Sequence, residues 1–411
     1  MNICLVSQEY PPETPWGGIG TQTYYKAHAL VRRGHNVHVL TRSLEKGPEV
    51  TTTTADGVTV HRMLPPGYDF TFFNRVTYMM GYAWYVLKHL NALMEQTTFD
   101  VIDFPEFGGE SLAYQLDRTC WNWVPVVIHL HGSLAMFTEH AGWPERGSRF
   151  HAYGTFAEQL AIQHADGLIA GSAGHADLVA GVYNADRSTI DIVHCGVDAD
   201  LFTPDASVIP GPRPTVIFVG NIIENKGVHI VVEAILRLKE KYPAILLQII
   251  GKVPEGSDLM TQLTTKIEIA AAAEHFDFVG FVPLPELPAY YRRAHVFCSP
   301  ADFEGGTASV YLEAMACGCP VIASTAGGGP ETVDDGVTGW LVPPSNVDAT
   351  LAAIDTALAD PANTRRMGVA ARQRIDDYFA MDRFGARVEA AYVKIIAKSQ
   401  ASPLRNEDYR E

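Results

Sequence analysis

The part of this sequence richest in chemical possibility is the run from Phe303 to Glu331: Phe303-Glu304-Gly305-Gly306-Thr307-Ala308, then Leu312-Glu313-Ala314-Met315, then Gly327-Gly328-Gly329-Pro330-Glu331. It reads in order as strand, loop, helix, strand, with Glu304 near the loop tip and Glu313 about two turns along the helix. Thr307 is the expected N-cap, which turns Gly305, Gly306 and the N–H groups of Thr307 and Ala308 toward whatever occupies the loop. Glu313 sits on a helix otherwise apolar at Val310, Leu312 and Met315. Once buried, such a carboxylate needs a partner, and vicinal hydroxyls of a sugar would supply it. Either glutamate alone would most often be a solvated surface residue; the whole string is too specific for that.

Three further places follow strands. Gly220-Asn221-Ile222-Ile223-Glu224-Asn225-Lys226-Gly227 leads into an amphipathic helix over 228–242. Lys226 at a helix N-terminus is unfavourable without an anion, and a diphosphate would satisfy both the ammonium and the free N–H groups. His131 of His129-Leu130-His131-Gly132-Ser133 ends a strand beside a glycine, where an imidazole can exchange hydrogen bonds with a substrate hydroxyl near neutral pH; His129, inside the strand, reads as structural. The loop Glu9-Tyr10-Pro11-Pro12 to Trp16-Gly17-Gly18-Ile19-Gly20-Thr21 lets backbone approach a ligand closely, although an ordinary tight turn explains it equally well. As dinucleotide fingerprints, both Gly18 and Gly220 lack the remaining glycines, which disfavours a Rossmann dehydrogenase.

Short β-rich runs alternating with helix-length segments must position these residues, the pattern of an α/β fold with mainly parallel sheets. Strands are expected near 2–6, 36–41, 101–103, 126–130, 167–170 and 190–193, then near 215–219, 245–250, 277–279, 296–299 and 320–323. A helix over 21–33 ends at Gly34. Another over 72–93 carries an apolar stripe of Phe73, Val76, Met80, Ala83, Leu87 and Leu90 opposite Asn74, Tyr78, Tyr82, Tyr85 and His89. The turn-rich stretch from Phe202 to Arg213 marks a boundary between two doubly wound Rossmann-like lobes, 1–207 and 208–380. Residues 347–398 read as three helices broken at Pro361 and near Tyr378, and 399–411 as a flexible tail. Two such lobes leave a cleft at the carboxyl ends of their strands, where ligands bind.

Composition narrows the function. With 411 residues, 47% hydrophobic and 19% charged, the chain is globular and long enough for two or three domains. Lys and Arg number 31 against 47 Asp and Glu, a net charge of −16, and neither half is basic. That argues against nucleic acid and against broad adhesion to anionic membranes. No leader and no transmembrane run is visible. The six cysteines lack a CxxC pair and are expected buried and reduced, so the chain is expected in the cytoplasm, without structural zinc or disulfides.

With these residues in place the chain resembles the family 4 glycosyltransferases, retaining enzymes of the GT-B fold. The likeness spans nearly the whole chain: the Pro11-Pro12 to Gly17-Gly18 loop, Arg33-Gly34-His35-Asn36-Val37, His131-Gly132, Cys195-Gly196-Val197-Asp198 with Phe202-Thr203-Pro204, Lys226-Gly227, and the Glu304 to Glu331 block. It implies a carboxyl-terminal lobe that holds a nucleoside diphosphate sugar, an amino-terminal lobe that shapes the acceptor site, and no required metal or cofactor. Implied catalytic residues are His131 on the sugar, Lys226 on the diphosphate and Glu304 on the donor sugar. Gly18, Asn221, Phe281, Val282, Gly305, Gly306, Thr307, Ala308 and Glu313 complete the implied donor site, with Glu313 on the ribose and the Gly280-Phe281-Val282-Pro283 turn on the base. The helix over 381–398 would return to the amino-terminal lobe. Two departures stand out: Asn221 replaces a common arginine, and eight residues rather than seven separate Glu304 from Glu313.

The implied reaction moves a hexosyl unit to an acceptor hydroxyl of a carbohydrate, glycolipid or small molecule, with retention of anomeric configuration. The partners are thus the nucleotide-sugar donor and that acceptor, with no nucleic acid, no transmembrane segment, and peripheral membrane contact left open. Alternatives are a nucleotide-sugar epimerase or phosphorylase on the same two lobes, and a non-catalytic nucleotide-sugar-binding subunit. Product analysis separates the first and turnover the second.

Overall fold

The computed structural model describes residues 1–14, 17–45, 47–64, 78–119, 121–208 and 210–401. The chain forms two compact units, Met1–Gly196 together with Met381–Glu411, and Val197–Ala380.

The first unit is built on an eight-stranded sheet: β1 Asn2–Val6, β2 Asn36–Arg42, β3 Val50–Ala55, β4 Val58–Met63, β5 Val101–Pro105, β6 Val126–Leu130, β7 Gly167–Ala170 and β8 Ile190–Ile192. Their order is β3-β4-β2-β1-β5-β6-β7-β8. All neighbours are parallel except β3 with β4. The central strands are apolar on both faces because helices cover both sides. The β3–β4 hairpin escaped the sequence reading: β3 is a threonine run on the sheet edge, exposed along most of its length. Its turn, Asp56-Gly57, has both residues at positive φ, the geometry a two-residue hairpin demands.

Two helices show where the pattern was right and where it misled. The helix Gly18–Arg32 stops as expected, since the Gly34 N–H donates to the Val31 carbonyl at 2.9 Å and the His35 N–H to the Leu30 carbonyl at 3.1 Å. In the helix Tyr78–Met94, Ala83, Leu87 and Leu90 of the expected stripe are buried, and so is most of the side expected to be polar. Tyr82, Tyr85 and His89 lie in the core, while Met80 and Trp84 are exposed. Tyrosine rings bury as much apolar area as leucine and here share the core with the expected stripe. Phe73, Asn74 and Val76 lie outside the described residues.

The helix Met381–Gln400 completes this first unit. Phe384, Val388, Tyr392 and Ile395 join the core of Leu5, Val39 and Val127. Gly167 on β7 is required there, because a Cβ at that position would overlap the Ile395 side chain. The Tyr392 hydroxyl donates to Asp103 Oδ2 at 2.6 Å. The expected frayed end begins too early. Ser399 is buried, its hydroxyl donating to Asp166 at 3.0 Å and accepting from Trp123 Nε1 at 3.1 Å.

The second unit carries six parallel strands, β9 Thr215–Val219, β10 Leu246–Ile250, β11 Phe276–Gly280, β12 Val296–Ser299, β13 Val321–Ser324 and β14 Gly339–Val342, ordered β11-β10-β9-β12-β13-β14. Its first residue is Val197, earlier than the composition break suggested. The Val197 N–H donates to the Phe379 carbonyl, and Arg372 donates to the carbonyls of Ala199 and Phe202, so 197–204 packs here despite its turn-like sequence. The helices Val347–Ala359 and Pro361–Arg374 begin on side-chain caps from Asn346 and Asp360, and Ile375–Phe379 closes the unit as a wider π turn.

Candidate functional site

In the second unit the expected site residues gather on the loops that leave the carboxyl ends of β9 to β13. Backbone bonds lash these loops together: Ile222 N–H to the Lys252 carbonyl, Gly251 N–H to Gly280, Asp302 N–H to Asn225, and Gly328 N–H to Glu304, each at 2.9 Å. The Gly327 and Gly328 pair is needed for the last of these. A Cβ on Gly327 would overlap the Glu304 carbonyl and one on Gly328 the Gly306 carbonyl. The glycine run after β13 is therefore the counter-surface that sets the Glu304–Thr307 loop.

Lys226 and Glu304, read separately from sequence, meet directly. Lys226 Nζ donates to both carboxylate oxygens at 2.8 and 2.9 Å. Lys226 closes a short 3-10 turn before Gly227 and the helix Val228–Leu238. The anion that its position called for is thus supplied by the protein in this state. About a third of the lysine side chain remains exposed, against a tenth of the glutamate. The ammonium is therefore both oriented by Glu304 and accessible from outside.

Glu313 belongs to a separate pair. It lies on the helix Ser309–Ala316 and is 3% exposed. Tyr291, which the sequence reading did not single out, donates its hydroxyl to Glu313 Oε2 at 2.9 Å. Burial pushes this carboxyl up to about 7, with the tyrosine bond opposing. The helix N-cap is Ala308 rather than Thr307, and no side chain caps it. Thr307 is buried, Gly305 is buried, and Gly306 is half-buried beside Gly328.

On the β10–β11 side, Phe281 is 52% exposed and Val282 buried. Lys252 Nζ stands over the Phe281 ring at 4.6 Å. Lys252 is bonded through its carbonyl to the loop of Asn221, which is itself exposed. A cation therefore stands in the loop next to Asn221, the position at which the resemblance leads one to expect an arginine. Sequence reasoning passed over Lys252, although it follows β10 at the same strand edge that led to Lys226.

Gly18 and His131 lie in the first unit. Gly18 opens the helix Gly18–Arg32, and a Cβ there would meet nothing within 4 Å, so its approach is open. His131 leaves β6 half-buried. Its backbone N–H donates to both oxygens of Glu106 at 2.9 Å, and the Gly132 N–H donates to Glu106 Oε1 at 2.5 Å. Glu106 is fully buried, and desolvation raises it to about 7 against those bonds. The His131 ring stacks on His129 with centroids 4.4 Å apart. Burial, then His129, Lys26 and His175, holds the His131 imidazole neutral, well below its ordinary range. The imidazole expected to exchange hydrogen bonds near neutral pH is thus held in its neutral form there.

Beneath it, Lys26 Nζ donates to Asp103 Oδ1 at 2.6 Å. Burial raises the Asp103 carboxyl, but Lys26 and His129 bring it down to about 2. Glu158 accepts from the N–H groups of Gly108 and Leu134 and from the Tyr183 hydroxyl. Glu106, Asp103 and Glu158 position the loop after β6, and the sequence reading missed all three. For Asp103 and Glu106 the sequence signal is Asp103-Phe104-Pro105-Glu106, acidic residues at the end of an otherwise apolar strand; Glu158, on the helix Arg149–Gln163, has none. Among the described residues no three His, Cys, Asp or Glu side chains gather as a metal ion needs, and no helix is long and apolar enough to cross a membrane.

Comparison with known proteins bears on both units. The family model Glycosyltransferase Family 4 matches residues 16–201, and Glycosyl transferases group 1 matches residues 202–374. The chain is 31% identical over 393 residues to a glycogen synthase of Mycobacterium tuberculosis, covering 92% of this chain and 91% of that one. It is 32% identical over 337 residues to a D-inositol 3-phosphate glycosyltransferase of Mycolicibacterium smegmatis, covering 79% and 75%. The structure of a sucrose-phosphate synthase from Thermosynechococcus elongatus superposes with a TM-score of 0.81 at 24% identity, over 96% of this chain and 99% of that one. Two parallel α/β units, the matched models and these relatives agree, and the chain belongs to the group 1, family 4 glycosyltransferases, GT-B enzymes that use nucleotide sugars as donors.

Proposed function

We propose that this protein transfers a hexosyl unit from a nucleoside diphosphate sugar to an acceptor hydroxyl with retention at the anomeric carbon and without a metal ion. The observation that carries the reading is the Lys226–Glu304 pair: a partly exposed ammonium held by both oxygens of a buried carboxylate, at the carboxyl edge of β9 and β12. In the proposed complex Lys226 turns to the diphosphate and Glu304, released, accepts hydrogen bonds from hydroxyls of the donor sugar. Gly305, Gly306 and the amides of Thr307 and Ala308 line that sugar. Glu313 accepts from the ribose, with Tyr291 fixing its carboxyl, and Phe281 and Val282 border the base. Lys252 stands in for the missing arginine beside Asn221.

Chemistry then rests on the leaving group. The bond from the anomeric carbon to phosphate oxygen breaks, the departing oxygen gains charge, and Lys226 with oriented N–H groups stabilises it. The acceptor oxygen bonds to the same face of the anomeric carbon and its proton passes to the departing phosphate. His131, held by Glu106 and neutral, hydrogen-bonds the sugar in this scheme rather than titrating. Relatives named for glycogen and for D-inositol 3-phosphate favour a polyhydroxylated acceptor, and the absence of a membrane-crossing helix among the described residues suits an acceptor met in solution or at a membrane surface.

The test is product stereochemistry. The full chain is incubated with UDP-glucose, UDP-N-acetylglucosamine, GDP-mannose or ADP-glucose and a polyol or oligosaccharide acceptor, in EDTA or in magnesium, and the new anomeric proton is read by NMR. Retained configuration at an EDTA-insensitive rate supports the proposal. Inversion, strict metal dependence, or a changed sugar without transfer overturns it.

A further inference from the structure

The first unit carries a groove of about 680 Å³, within the range of small-ligand sites. Its wall includes Trp121, Trp123, Asn91, Glu95, Asp100 and Gln400. It lies at the amino ends of parallel strands, because Asp100 precedes β5 and Trp123 precedes β6. His131 and Glu106 follow the carboxyl ends of those same strands. The length of β6, about 16 Å at strand rise, therefore separates the groove from that loop.

Its chemistry is specific. Trp121 is 82% exposed, a large apolar face that a folded chain has reason to cover. Trp123, on the same wall, is held by Arg118 at 3.8 Å from its ring centroid and by the bond from Nε1 to Ser399. Around the rings stand amides and carboxylates, and no lining residue is basic. Arg118 is itself committed to Asp166, at 2.5 Å. An indole face suits the C–H face of a pyranose ring, while carboxylate and amide groups at its edge suit the ring's hydroxyls. Two acids without a cation reject phosphate, nucleotide and anionic lipid alike.

We propose that this groove binds a neutral oligosaccharide, with Trp121 as the stacking platform, as a site separate from the donor residues of the second unit. Such a site would hold a glycan chain on the enzyme while its end is extended or exchanged. Saccharide binding in this groove is independent of which residues hold the donor.

The experiment is titration of the full chain, without nucleotide sugar, by maltopentaose, cellopentaose, mannopentaose and chitopentaose, followed by saturation-transfer NMR and calorimetry. One probe should bind, and saturating UDP or GDP should leave its affinity unchanged. Trp121→Ala should weaken it by about tenfold or more, the scale of a lost aromatic stack, while leaving thermal stability at the wild-type value. The proposal is overturned if no probe binds at millimolar concentration, if Trp121→Ala binds as wild type, or if nucleotide competes with the saccharide. It is equally overturned if phosphatidylcholine vesicles, and none of the saccharides, bind in a Trp121-dependent way.

Discussion

Replacing Glu313 by glutamine should make the protein more stable in alkaline solution while weakening its hold on the donor. The Glu313 carboxyl is 3% exposed, and burial lifts it from 4.5 to about 7. Its folded pKa lies above its unfolded one, so its contribution to stability is present below pH 4.5 and is lost as pH rises through 7. At pH 8 the buried charge costs about 3 kcal/mol relative to the unfolded chain, and at pH 5 about 1 kcal/mol. Glutamine carries no charge at either pH, and its carbonyl can still accept from Tyr291. The gain of Glu313→Gln over wild type should therefore grow by about 2 kcal/mol between pH 5 and pH 8. For a unit of this size that is roughly 4–8 °C in melting temperature. The assay is a pair of melting curves at each pH, with donor affinity measured alongside. A difference independent of pH, or a variant destabilised most at pH 8, would refute the reasoning and make Glu313 a structural carboxylate whose charge the fold stabilises.

Four other outcomes follow from the same geometry. Lys226→Ala should lower turnover by about two orders of magnitude or more, the scale of a lost preorganised donor to a leaving group, and unchanged steady-state rates would remove Lys226 from the chemistry. Gly328→Ala should cost donor affinity above all, since its Cβ overlaps the Gly306 carbonyl and must push the Glu304 loop away; calorimetry showing wild-type affinity would contradict this. Because His131 stays neutral well below its ordinary range, kcat against pH should show no limb between pH 6 and 7 that His131→Gln abolishes. Tyr392→Phe should destabilise the first unit by about 1–3 kcal/mol in urea, through the buried Asp103 oxygen left short of a donor.

Much of this arrangement is legible in sequence because it is local. Gly34, Pro361 and the apolar runs of β1, β6 and β9 each carry their own stop signal or period, and the structure follows them closely. The residues that follow strand ends were also readable, since a parallel sheet fixes which loops share an edge. What sequence hid depends on distant partners. Thr51–Thr54 look like a loop until β4 pairs with them. Tyr82 and Tyr85 look polar until a core closes over their rings. Tyr291 is 22 residues from Glu313 along the chain, and Glu106 is 25 and 26 from the two amides it holds. Lys226 and Glu304 were each found, yet their ion pair spans 78 residues and no spacing reveals it.

Donor binding at the loops of the second unit is the property that most directly distinguishes a glycosyltransferase site there. Thermal-shift titration with the four nucleotide sugars should single out one that stabilises wild type in EDTA, with the shift largely lost in Lys226→Ala and reduced in Lys252→Ala. Stabilisation that both variants retain in full, or no response to any donor, would contradict it.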